Sequence, residues 1–116
     1  MEYQCAVFAA LSDPIRLRCL GLIAEQGELC VCELTHALES SQPKISKHLA
    51  VLRDAGLVRD RRDAQWVLYA IATDLPAWMA RTVEAAVQAL ADAPLHGEDR
   101  ARLAAMVSRP PRQRVA

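Results

Sequence analysis

Residues 28–52 constrain this chain more than any other stretch, because they hold two short helix patterns only a few residues apart. The first, Glu28-Leu29-Cys30-Val31-Cys32-Glu33-Leu34, runs on into apolar positions at Ala37 and Leu38. It reads as a short helix whose start carries two thiols one residue apart. The second, Ser40-Ser41-Gln42-Pro43-Lys44-Ile45-Ser46-Lys47-His48-Leu49, has a serine N-cap, Pro43 in its first turn, and Ile45, Leu49 and Leu52 along one face. Two short helices joined by a tight turn form a helix-turn-helix.

With Ile45, Leu49 and Leu52 turned inward, Gln42, Lys44, Ser46 and Lys47 fall on the solvent side of the first turns. That is where a recognition helix enters the major groove. Glutamine pairs with adenine, lysine with guanine or phosphate, and the hydroxyls of Ser41 and Ser46 with phosphate or a base edge. His48, beside the inward face, either contacts phosphate or packs. The plain alternative for the whole helix is a solvated amphipathic surface, so its surroundings decide.

Charge favours nucleic acid. The chain is neutral overall, yet residues 1–40 carry two arginines against six acids, whereas 41–65 carry six Lys and Arg against three aspartates. Positive charge is thus concentrated around the second helix. At 116 residues the chain supports one modest core. We assign residues 1–92 to a DNA-binding and dimerisation domain and 93–116 to an extension, a short helix over 98–107 followed by a disordered basic tail from Arg109. No apolar run approaches the ~20 residues of a membrane span and no secretory signal pattern opens the chain, so a cytosolic location is expected. Four cysteines in a reducing compartment point to free thiols or a metal site, not a disulfide scaffold.

Tyr3 to Leu11 reads as an apolar first helix. Asp13-Pro14 starts a second, with Ile15, Cys19, Leu22 and Ile23 inward and Gly27 as its stop. After the reading helix, Gly56 is followed by two alternating segments, 57–61 and 65–71, around Arg62-Asp63-Ala64, a hairpin with a basic tip. Behind a helix-turn-helix, such a hairpin makes a winged helix whose Arg59, Arg61 and Arg62 reach phosphate or the minor groove. Thr73-Asp74 caps a long final helix. Its apolar face, with Trp78, Met79, Val83, Val87 and Leu90, joins Val7 and Phe8 of the first helix in an expected dimer interface; core packing is the alternative. The expected fold is therefore mainly α with a small β-hairpin, a winged helix-turn-helix forming a homodimer through its N- and C-terminal helices.

With these elements in place, residues 5–90 resemble the ArsR family of dimeric bacterial metal-sensing repressors. The matching motifs are Leu11-Ser12-Asp13-Pro14-Ile15-Arg16, Glu28-Leu29-Cys30-Val31-Cys32-Glu33-Leu34, Ser41-Gln42-Pro43-Lys44-Ile45-Ser46-Lys47-His48-Leu49 and Gln65-Trp66-Val67-Leu68-Tyr69. The thiol motif looks like the family's arsenical-sensing box. The resemblance implies a repressor that leaves a palindromic operator when Cys30 and Cys32 bind As(III), or Sb(III), with no catalytic cofactor. A third cysteine often follows three residues after the second in such sensors, and here that position is Thr35. The terminal helix also lacks the histidine ligands of zinc sensors.

Soft thiolates suit a thiophilic ion, and a structural zinc would want four ligands not found nearby. On a helix, positions i and i+2 point apart, so a shared ion would require the helix start to distort. That distortion offers a route to the adjoining reading helix. Cys5 is the candidate third ligand, reaching the pair across a dimer; a plain buried thiol is the alternative, with a glutathione thiol or Thr35 with water then finishing the shell. Cys19 reads as core. Two other sensing chemistries fit the same fold: a redox switch, with Cys5 as disulfide partner because a bridge between Cys30 and Cys32 themselves reads as strained, and a cadmium or lead response. A thiol enzyme built on Cys32 and His36 lacks an evident oxyanion site.

Overall fold

A computed structural model describes residues 1–112. In order along the chain come α1 (Glu2–Leu11), α2 (Pro14–Gln26), β1 (Leu29–Cys30), α3 (Val31–Leu38), α4 (Gln42–Asp54), β2 (Val58–Asp63), β3 (Trp66–Ile71), α5 (Ala77–Ala91) and α6 (Pro94–Ala104). The helix starts follow local chemistry. Asp13 caps α2 by accepting from the Ile15 and Arg16 amides at 2.8 and 3.1 Å, and Ser41 caps α4 by accepting from the Lys44 amide at 3.4 Å. Gly27 and Gly56 end their helices at φ 88 and 82°, a backbone that a side chain would strain.

Leu20, Leu22, Ile23, Leu34, Ile45, Leu49, Leu52 and Leu57 are fully buried, so α2, α3 and α4 close on one core. The helix-turn-helix and wing stand where the sequence puts them, with three differences. The hairpin turns at Ala64-Gln65, because Asp63 pairs with Trp66. The final long helix begins at Ala77 behind Pro76, not at the Thr73-Asp74 cap. The short helix expected over 98–107 instead runs from Pro94 to Ala104, since proline at a first turn forfeits no helical hydrogen bond.

The hairpin also gains a third strand that local pattern does not reveal. Leu29 pairs with Tyr69 and Cys30 with Leu68, giving an antiparallel sheet in the order β1-β3-β2. A two-residue strand has no periodicity of its own. It exists because β3 offers a free edge.

The extension is fastened to this body. Asp99, fully buried on α6, accepts from Arg18 on α2 at 2.9 and 3.0 Å and from Arg102 at 2.6 Å, while Arg102 also donates to the Ala37 carbonyl of α3 at 2.6 Å. Glu25 on α2 accepts from Arg100 at 2.6 and 2.8 Å and lies 3.0 Å from His96. Beyond α6 the expected basic tail is partly ordered, since Arg109 and Arg112 both pair with Glu33. Residues 113–116 of that tail lie outside the described residues. Among the described residues no helix is long and apolar enough to cross a membrane.

The expected dimer face divides in two. Val7, Met79 and Val83 are buried inside the protomer and pack in its own core. Phe8 stays 54% exposed and Tyr3 50%, and both rings pack on Trp78, with centroids 6.2 and 6.0 Å away. Val87 and Leu90 are half-buried.

Candidate thiol site and nucleic-acid interface

The thiol pair sits at the junction of β1 and α3. Cys30 is the last residue of β1 and the N-cap of α3, with extended backbone at φ −85 and ψ 162°, whereas Cys32 lies in the first helical turn. The expectation that both thiols stand on one helix and face apart is therefore corrected. The strand-to-helix corner turns both side chains to one side, their Cα atoms 5.4 Å apart and their sulfurs at bonding distance. That Cα separation lies within the range a disulfide accepts, so the strain expected of a Cys30–Cys32 bridge is not imposed by the backbone. Cys30 is 1% exposed and Cys32 opens to solvent.

Glu33 locks this corner. Its amide donates to Cys30 Sγ at 3.3 Å, and its Oε1 accepts from the Cys30 amide at 2.9 Å, a reciprocal capping box with sulfur in the role usually played by a hydroxyl. The carboxylate is fully buried. Its second oxygen accepts from Arg109 Nε at 2.5 Å and its first from Arg112. Burial pushes the Glu33 pKa upward, but Arg112, the Cys30 amide and Arg109 outweigh it and hold the group below its ordinary value. Arg112 also donates to the Glu28 carbonyl at 3.1 Å, so the C-terminal segment straps the thiol corner from outside. The sequence hint for this strap was only a buried-register glutamate and distant arginines.

The remaining thiols are apart from the pair. Cys19 is buried on α2 and burial pushes its pKa up to about 12, as a core residue should behave. Cys5 is exposed on α1, not buried, and α1 packs on α2. Thr35, one turn beyond Cys32, has a buried hydroxyl oxygen with no hydrogen-bond partner among the described residues. No group of three or more His, Cys, Asp or Glu able to hold a metal ion occurs among the described residues. His36 is exposed.

On α4, Ser41, Gln42, Lys44 and Lys47 are exposed and Ser46 is half-buried, with Gln42 donating to Ser46 Oγ at 2.9 Å. His48 is turned the other way. Its Nδ1 lies 3.1 Å from an Arg16 nitrogen and 3.8 Å from Asp13, so of its two expected roles the ring takes the packing one. In the wing, Arg59 and Arg62 are exposed. Arg61 is instead committed to Glu28, donating at 2.6 and 2.8 Å, and Glu28 is held below its ordinary pKa mainly by that contact. As a free DNA contact, Arg61 is corrected to a structural anchor.

Comparison with known proteins agrees with this arrangement. Residues 13–60 match the model of the family described as "Bacterial regulatory protein, arsR family". The chain is 52% identical over 106 residues to the arsenic resistance transcriptional regulator ArsR1 of Pseudomonas putida, covering 90% of this chain and 80% of that protein. It is 49% identical over 80 residues to the arsenical resistance operon repressor of Escherichia coli, covering 69% of this chain and 68% of the other. In structure it resembles the homodimeric winged helix-turn-helix DNA-binding domain Mb0332 of Mycobacterium bovis, with TM-score 0.64 and 34% identity over 81% of this chain and 82% of that one. These relatives are transcriptional regulators, not enzymes. A sulfur-bearing corner joined to a winged helix-turn-helix, in a chain half identical to such regulators, places this protein in the arsR family of bacterial regulatory proteins.

Proposed function

We propose that this protein is a homodimeric repressor that binds a palindromic operator through α4 and the wing, and releases it when Cys30 and Cys32 bind trivalent arsenic. The observation that carries this reading is the strand-to-helix corner, which sets two sulfurs side by side with Cys32 open to solvent. Binding is a condensation without redox change. Two cysteine thiols and As(OH)3 give a dithiolate-bound As–OH and two waters, each S–H proton leaving with an arsenic hydroxyl. Antimony(III) undergoes the same exchange, and soft thiolates favour both over hard cations.

Two donors suit the third coordination position. One is Cys5 of the partner subunit, since Cys5 is exposed on α1 and the aromatic cluster of Tyr3, Phe8 and Trp78 favours α1 and α5 as the dimer contact. The other is Thr35, with its unpartnered hydroxyl. X-ray absorption on Cys5→Ser protein separates them: loss of one sulfur neighbour assigns Cys5, and an unchanged sulfur count excludes it. At the operator, exposed Gln42 suits adenine and exposed Lys44, Lys47, Arg59 and Arg62 suit phosphate. Two copies would engage half-sites about one duplex turn, ~34 Å, apart. A cytoplasmic location follows from this role.

The corner that brings the two Cα atoms within 5.4 Å favours one second reading, oxidation of the pair as the signal, with Cys32 and not Cys5 as the partner of Cys30. Peroxide would take two thiols to a disulfide and be reduced to two waters. Gel shift of operator DNA with rising arsenite, under reducing conditions, tests the arsenic reading. Release supports it, and release only by peroxide replaces it with the redox one.

A further inference from the structure

Cys30, Leu68 and Arg61 form a single row across the sheet, Cys30 paired with Leu68 on β3 and Leu68 with Arg61 on β2. The thiol site is therefore not beside the wing but part of its sheet. Residues paired across a sheet project from the same face, and Glu28 lies just before β1. Arg61 uses that geometry. It reaches over the central strand and clasps Glu28, two residues before Cys30, through two bonds of 2.6 and 2.8 Å. Such a fork fixes orientation as well as distance. On the same strand Arg59 and Arg62 remain exposed.

We propose that Glu28 and Arg61 are the positioning pair that couples the thiol site to the wing, so that inducer binding moves Arg59 and Arg62 and not only the reading helix. This rests on the arsenic-responsive reading above. When Cys30 and Cys32 close on one arsenic, the corner shared by β1 and α3, which Glu33 caps through the Cys30 sulfur and amide, resettles around the ion. The displacement passes to Glu28 two residues away, and the rigid guanidinium fork carries it to β2. Neither residue touches the ion. Their role is to keep the wing's orientation tied to the state of the corner.

The test compares wild type, Glu28→Gln, Arg61→Gln and the double variant as full-length reduced protein. Arsenite binding is read without DNA from the ultraviolet absorbance of As–S bonds. Coupling is read as the ratio of operator affinities without and with arsenite, and wing movement from the 19F resonance of 5-fluorotryptophan at Trp66. The expected result is wild-type arsenite binding in all four proteins, a coupling ratio reduced at least about tenfold in Glu28→Gln, a Trp66 resonance that no longer responds to arsenite, and little further loss in the double variant. Coupling ratios and Trp66 responses equal to wild type would overturn the proposal. If wild type itself binds no arsenite or keeps its operator when arsenite is bound, the functional reading fails first, and the two failures are distinct.

Discussion

Cys30 and Glu33 hold each other through two opposed bonds, Glu33 N–H to sulfur at 3.3 Å and Cys30 N–H to carboxylate at 2.9 Å. Helix α3 thus begins on the atom that would bind arsenic. A bond made at that sulfur is therefore made at the helix start itself, where Glu33 caps it.

Replacing both sulfurs by serine should separate sensing from DNA binding. Serine is a good N-cap, so Cys30→Ser keeps α3 capped and the fold intact. The double variant Cys30→Ser/Cys32→Ser is expected to bind operator at near wild-type affinity and to stay bound with arsenite present. A gel shift in which the variant still lets go would end the arsenic reading.

Glu33 is the costlier position. Glu33→Ala removes a buried acceptor from the Cys30 amide and strands Arg109 and Arg112, which are about a quarter to a third exposed. Water partly compensates those arginines, so the loss should be roughly 2–3 kcal/mol, the low end for breaking a buried pair. Urea denaturation of reduced protein measures it, and a change below about 0.5 kcal/mol would show that the strap contributes little.

Acid should loosen the C-terminal fastening. Glu25 is lowered from 4.5 to about 2, chiefly by Arg100, and Glu33 is also lowered from 4.5. Both folded-state values lie below the unfolded ones, so each contribution is present above the unfolded value and lost as pH falls through the folded one, which for Glu25 extends towards pH 2. Urea midpoints should fall over that interval, and less steeply in Glu25→Gln. Identical pH profiles for the two proteins would remove Glu25 from the account.

The exposed positions of α4 should differ in kind. Lys44→Ala is expected to reduce the slope of log affinity against log salt by ~0.9, as one phosphate contact does. Gln42→Ala should leave the slope alone and cost about 1–3 kcal/mol at the preferred operator, with relaxed choice at one base pair. Equal slopes for all three proteins would take Lys44 off the backbone.

Phe8 and Trp78 are expected to carry association. Phe8 is 54% exposed, so Phe8→Glu should leave the protomer folded while sedimentation at micromolar concentration shows monomers with weakened operator binding. A variant that sediments as a dimer would move the interface elsewhere.

What the sequence disclosed was mostly local. The caps at Asp13 and Ser41, the inward Ile45, Leu49 and Leu52, and the CxC spacing are each written within a few neighbouring residues, and the family motifs overlie them. What it concealed was set by distant partners. Cys30 is extended because Leu68, 38 positions on, accepts it into a sheet. Arg61 looks like any basic wing residue until Glu28 is placed opposite it, and the ordering of Arg109 and Arg112 depends on a carboxylate more than 70 residues earlier. Val7, Met79 and Val83 matched an interface by pattern alone, but an apolar stripe does not say which side of it the protomer itself will cover.

Cys19 has a use outside regulation. A thiol shut in the core and held at about 12 offers almost no thiolate to a labelling reagent while the molecule is closed. Its modification should therefore keep time for whole-molecule opening, an internal clock against which the stability of each variant can be read with no new residue introduced.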